Sequence, residues 1–321
     1  MYNKCFMKEN IEKYIQEQDF STDSLLKIIE KNYVDSDYNN KELYEQHKKY
    51  LEKTNEKIEI VKTTSNYPPK TDKYNGKHAL SLKNCFDEEK VIREEWDILS
   101  SDCFGPSRTS ILKKLKNKKD DDQEKIKLYY FWIYIGHLYG AFILWPGKQL
   151  KRKQTINQAR NIPYDDRIDL ILFHIKEMYD KNFDENANYS MNLNKNITDT
   201  LLRYTSFFEK ISYLQNKKKS KKLEFKDFID FFDLNIFCDN NYEVYDLTTD
   251  TNFKSTKFLE YFENYINNSN PEPLDIKSSL KYVNHNSFKK LNSEEDREIY
   301  NNNLCCLIIK RNDSIYKFLK P

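Results

Sequence analysis

Glycine is what this sequence most conspicuously lacks. Five residues of 321 are Gly, where a globular chain at ~7% Gly would carry about 22. Neither G-x-G-x-x-G nor G-x-x-x-x-G-K-[ST] occurs. That excludes the ordinary Rossmann and P-loop sites, whose phosphate turns bring ligand against bare backbone. No other cofactor signature is present, and no cofactor is expected. The six cysteines (Cys5, Cys85, Cys103, Cys238, Cys305, Cys306) form no C-x-x-C pair, so zinc spacing is missing too. The opening Met1–Tyr14 stretch carries no apolar run of signal-peptide type. Reduced thiols and a cytoplasmic location are the expectation.

Charge of one sign is also lacking. There are 53 basic and 51 acidic residues, for a net charge of +2. Such a chain has no global pull towards nucleic acid or membrane, so any such affinity must be local. Long apolar runs are scarce. Tyr129–Trp145 is 17 residues without Asp, Glu, Lys or Arg. As a helix it would span about 26 Å, short of a ~30 Å hydrocarbon core. It also holds Gly136, His137 and Gly140, with Pro146 next. A buried helix running into a buried strand is the expectation, with no membrane insertion.

What is abundant is aromatic area and Lys. The 24 Tyr and 20 Phe supply core-forming surface despite a mean hydropathy of -0.89. Lys outnumbers Arg 45 to 8, and abundant Lys, Asn, Ile and Tyr read as an AT-rich, low-GC genome. Lys runs such as 113–119 and 217–222, without interleaved aromatics, read as solvated loops.

Periodicity predicts a predominantly helical α+β protein. Expected helices cover 123–138, 166–180, 225–237, 256–266 and 293–319. The clearest is 166–180, where Ile168, Ile171, Leu172, Ile175, Met178 and Tyr179 share one face. Asp165 or Asp166 is the expected cap after Pro163. A small sheet is expected from Ala141–Trp145, with Leu80–Lys83 and Tyr242–Tyr245 as further strands. Residues 1–62 read as a helical annex, with 63–321 as the main α+β unit, the two forming one continuous globular body.

Unusual residues collect in one region. Gly105, Gly136, Gly140 and Gly147 lie there, with Pro106, Pro146 and Pro163 around them. Arg152, Arg160 and Arg167 follow within 16 residues. Gly and Pro mark backbone that must turn or be closely approached. Arg offers a planar fork that Lys cannot replace. Arg152, Thr155, Asn157, Arg160 and Arg167, with His137, are therefore the candidate ligand-binding residues. Their chemistry suits a phosphate or carboxylate group on a nucleotide, a nucleic acid or a small molecule. Arg167 has a structural alternative as a buried ion-pair partner. Asp165, Asp166 and Asp169 are either helix caps or functional carboxylates, and a metal-dependent nuclease using them is a weaker reading without a supporting motif. A non-catalytic interaction protein is the other alternative, and it predicts a large exposed apolar patch. No catalytic residue is assigned, and whether the chain is an enzyme stays open.

The stretch from Trp96 to Phe237 resembles an uncharacterised bacterial family, a domain of unknown function. The residues that carry this are Leu99-Ser-Ser-Asp102 with Pro106-Ser107, then Ile135-Gly-His-Leu-Tyr-Gly140 and Phe142-Ile-Leu-Trp-Pro-Gly147. Thr155-Ile-Asn-Gln-Ala-Arg160, Asp166-Arg-Ile-Asp-Leu170, Leu202-Arg-Tyr-Thr-Ser-Phe-Phe208 and Phe225-Lys-Asp-Phe-Ile-Asp-Phe-Phe232 follow in order. The resemblance implies a cytosolic bacterial domain and no particular activity. The family tends to carry Gly where this sequence has Gln158 and Asn161. Asn tolerates the left-handed backbone a turn needs, whereas Gln158 limits close approach of a ligand.

Overall fold

The computed structural model describes residues 59–63, 79–83, 99–106, 111, 123–136, 139–146, 156, 167–191, 198–199, 201–202, 205–206, 222–249, 255–267 and 274–319. The helices expected before residue 58 lie outside them. The described part is mainly helical with small antiparallel sheets, the α+β class expected.

Four strands form a meander: β1 (Glu59–Thr63), β2 (Ala79–Lys83), β3 (Leu99–Cys103) and β4 (Phe142–Pro146). All three pairings are antiparallel. The β3–β4 register is continuous from Leu99 opposite Pro146 to Cys103 opposite Phe142. A bulge between Ile60 and Lys62 interrupts β1–β2. β1 spans the expected 62/63 boundary. The Leu80–Lys83 and Ala141–Trp145 strands were expected nearly in place. Tyr242–Tyr245 is shifted: β5 (Tyr245–Asp246) pairs instead with β6 (Lys281–Tyr282) in a second, two-stranded sheet.

The helices are α1 (Gln123–Gly136), α2 (Ile168–Asp180), α3 (Phe225–Phe231), α4 (Ser255–Asn267) and α5 (Glu294–Leu319). The apolar Tyr129–Trp145 run divides as expected. It ends α1, passes a 3-10 turn at Tyr139–Ala141 and enters β4. No helix of the described residues is long and apolar enough to cross a membrane. The single helix expected over 225–237 is broken. Asp233 takes a left-handed φ of 52°, which ends α3, and a 3-10 turn resumes at Asn235–Phe237.

Helix α5 is the axis of the core. Residues 302–309 are buried without a gap, which exceeds two helical turns and leaves no solvent face. Several of its polar groups find partners there, while Asn303 Oδ1 is buried without one. Trp132 Nε1 of α1 donates to Asn302 Oδ1 at 2.9 Å, and Asn303 Nδ2 donates to the Leu247 carbonyl at 2.9 Å. Arg311 and Asn312, consecutive on α5, seize both backbone groups of Gly140. The Gly140 N–H donates to Asn312 Oδ1 at 3.1 Å, and Arg311 donates to the Gly140 carbonyl at 2.8 Å. Arg311 also donates to the Asp233 carbonyl at 2.8 Å and lies 5.6 Å from the centre of the Phe104 ring.

Gly140 must be glycine for steric reasons. A Cβ there would stand 2.3 Å from the Ile308 carbonyl oxygen and 2.7 Å from the Asn312 nitrogen. At Gly105 a Cβ would stand 2.6 Å from the Gly136 Cα. None of the described glycines has positive φ, so Gly105 and Gly140 serve close approach and not turning. Cys238, Cys305 and Cys306 are free and buried. Burial pushes the Cys238 thiol up to about 12 and the Cys305 thiol well above its ordinary range, so neither is poised as a nucleophile.

Candidate functional site

Of the candidate ligand residues, Arg167 lies among the described residues. His137, Arg152, Thr155, Asn157 and Arg160 lie outside them, as do Asp165 and Asp166. Ile156, in the middle of the polar segment, is fully buried at 0% exposure. It belongs to the hydrophobic core.

Arg167 sits at the N-cap position of α2 with an extended backbone. The expected caps, Asp165 and Asp166, lie outside the described residues. The Ile168 N–H is met by the Tyr300 hydroxyl at 2.9 Å, and the Leu170 N–H by Asp169 Oδ1 at 2.9 Å. The Arg167 side chain is buried and turned inward. Nε donates to Asp169 Oδ1 at 3.1 Å. One terminal nitrogen donates to Asp169 Oδ2 at 2.6 Å and Asp246 Oδ1 at 3.0 Å. The other donates to the carbonyls of Ser287 at 2.8 Å and Lys289 at 3.4 Å. A guanidinium has five N–H bonds, and each has an acceptor here. Burial opposes its charge, but the Asp169 and Asp246 carboxylates outweigh that and raise its pKa.

Arg167 thus has no donor left for a ligand. It belongs to the structural alternative, tying the start of α2 to the Asp246–Leu247 turn and to the Ser287–Lys289 segment. Asp169 is equally committed. Oδ1 accepts from Arg167 and Leu170, and Oδ2 from Arg167 and the Leu247 N–H at 3.0 Å. It is no longer a candidate metal ligand, and no described group of His, Cys, Asp and Glu has the geometry to hold a metal. Asp246 was not singled out from the sequence. Its signal was a lone carboxylate inside Val244-Tyr-Asp-Leu247, a pattern with nothing to name its partner.

A second polar cluster was missed altogether. Glu177, on α2, is buried and holds the turn that follows the helix. Its Oε2 accepts the Ser190 N–H at 3.0 Å. Its Oε1 accepts the Ser190 hydroxyl at 2.8 Å and the Lys181 ammonium at 3.1 Å. The Ser190 oxygen also lies 3.2 Å from His285 Nδ1, on the 3-10 turn His285–Ser287. His174 is 2% exposed, and its Nδ1 has no hydrogen-bond partner. That atom is 3.9 Å from Glu177 Oε2. Burial holds the His174 pKa down to about 4, so the ring is neutral at pH 7. Ser190 is thus held at both its hydroxyl and its N–H by the one carboxylate.

The His174 shift makes stability depend on pH. Its folded pKa lies below the ordinary 6.5, so between pH 6.5 and 4 the unfolded chain binds the extra proton. Stability contributed by the neutral ring is complete above that window and is lost as pH falls through it. The loss approaches about 3 kcal/mol. Urea titrations of H174Q should lack this component, and identical pH slopes for the two proteins would refute it.

No curated protein and no solved structure matches the chain. One family model does, over residues 16–315. The chain belongs to that family, DUF6994, a family of unknown function.

Proposed function

We propose that the protein binds an anionic group, on a nucleotide, a nucleic acid or a small phosphate or carboxylate compound, through Arg152, Thr155, Asn157 and Arg160, with His137 beside them. The observation that carries the reading is the saturation of Arg167. The nearest Arg in sequence is fully used by the protein, and so is its neighbour Asp169. The buried network at the start of α2 therefore has its own cation and its own carboxylates. Ile156 gives the polar segment an apolar footing, with polar Thr155 and Asn157 on either side of it in sequence. Two Arg with amide and hydroxyl partners suit bidentate recognition of an anion.

The interaction-protein alternative is less well supported. It requires an exposed apolar patch, and among the described residues Tyr282 is the one exposed large hydrophobic, at 45%. A single exposed aromatic needs no partner.

Thermal unfolding at constant ionic strength tests the reading, with pyrophosphate, ATP and a 20-base oligonucleotide as probes. At least one should raise the midpoint saturably, as a ligand selective for the folded state must. The double variant R152Q/R160Q should fold and lose the rise. No rise with any probe, or an equal rise in the variant, would refute the site.

A further inference from the structure

The cluster around Glu177 is a device separate from the proposed anion site. We infer that His174 and Glu177 form an acid-released latch on the 181–191 loop, with Glu177 as the catch and His174 as the trigger.

The loop starts with a sharp reversal. Asn182 and Phe183 take φ of 51° and 55°; Asn adopts this region readily, but a bulky residue such as Phe183 holds it only when surrounding contacts over-determine it. Their N–H groups close on the last turn of α2, at the carbonyls of Tyr179 (3.1 Å) and Met178 (2.8 Å). The far end is fixed by Ser190, whose N–H and hydroxyl both go to Glu177. Lys181 joins the two ends, donating to Glu177 and to the Asn188 carbonyl. The Glu177 carboxylate therefore gathers both ends of the loop. Through Ser190 it also reaches His285 on the 3-10 turn that precedes α5.

His174 lies one helical turn before Glu177, under the Tyr189 ring at 5.5 Å between centroids. Its Nδ1 faces Glu177 Oε2 at 3.9 Å, beyond hydrogen-bond reach and with no other partner. The charged and titratable groups around it are Glu177 on its own helix, Lys181 at the helix end and Tyr189 from the loop. His285 stands beyond Ser190. As the neutral ring takes a proton, Nδ1 becomes a charged donor whose nearest acceptor is Oε2. A charge-assisted bond there needs Oε2 to move by about 1 Å. That motion takes it from the Ser190 N–H, and the loop loses its far anchor. The trigger is the buried imidazole with its unpartnered Nδ1, and the element it releases is the far end of the loop at Ser190.

Amide exchange, corrected for the intrinsic pH effect on exchange rate, tests this in the whole chain. In the wild type, protection over 181–191 should fall at least tenfold between pH 7 and 4.5, while α5 keeps its protection. E177Q should show the weakened loop already at pH 7 and little further change in acid. H174Q should keep the loop closed across the range. If H174Q does not fold, the wild-type His174 imidazole resonance serves instead, and its titration midpoint must coincide with that of loop release. Parallel loss in the loop and α5, an acid response surviving in E177Q, or midpoints more than one pH unit apart would each overturn the latch.

Discussion

Arg167→Ala should cost about 3–5 kcal/mol of folding stability, the range for breaking a buried charge network from one side. The variant leaves Asp169 and Asp246 facing each other without their cation, and strands the carbonyls of Ser287 and Lys289. Arg167→Lys should recover only part of the loss. One ammonium cannot span two carboxylates and two carbonyls in the plane a guanidinium provides. An apolar triple replacement should not rescue the core either. Asp169 also receives the Leu170 and Leu247 N–H groups, and Asp246 receives the Thr248 N–H at 2.9 Å. Removing the carboxylates leaves those donors unmet. Urea titration of the single variants measures this directly, and a loss under ~1 kcal/mol for Arg167→Ala would show the network is dispensable.

Gly140→Ala should be nearly as damaging, at about 3 kcal/mol, although it adds one methyl group. The atoms it meets belong to the backbone of the most buried helix, and backbone cannot swing aside as a side-chain tip can. Overpacking of this kind forces the elements apart. Here separation would also break the two hydrogen bonds from Asn312 and Arg311 to the Gly140 backbone. Gly136→Ala is the control. Its Cβ would meet nothing nearer than 3.7 Å, and Ala favours the helix by ~1 kcal/mol. It should be neutral or stabilising. Equal losses at the two glycines would mean the effect is backbone flexibility and not contact.

The contrast between these positions shows what the sequence could disclose. Periodicity located α2 to within two residues, because its apolar positions recur on one face. It located β4 because a short apolar run ends at Pro146. It also drew attention to the region where glycines collect, yet could not say that Gly140 abuts Ile308, 168 residues away in the chain. Arg167 shows the same limit for the site. Its clustering with Arg152 and Arg160 suggested a shared role, whereas its partner Asp246 lies 79 residues downstream. Single-sequence reading sees spacing, and long-range pairing has no spacing. His174 was hidden for another reason. On a helix already explained by its apolar face, one imidazole alters no pattern.

The enclosure of α5 bears on how this chain acquires its structure during synthesis. Trp132 bonds to a residue 170 positions later, and Gly140 to one 172 positions later. Synthesis proceeds at roughly 5–20 residues per second. The partner surfaces on α1 and around Gly140 therefore emerge many seconds before the helix that covers them. Contacts so remote in sequence are slow to form, since loop closure precedes any gain from packing. The helix made last among the described elements sits at the centre, so the nascent chain carries an uncovered apolar channel until α5 arrives. Protection of that channel, by a chaperone or by transient non-native packing, is thus a requirement of the topology itself.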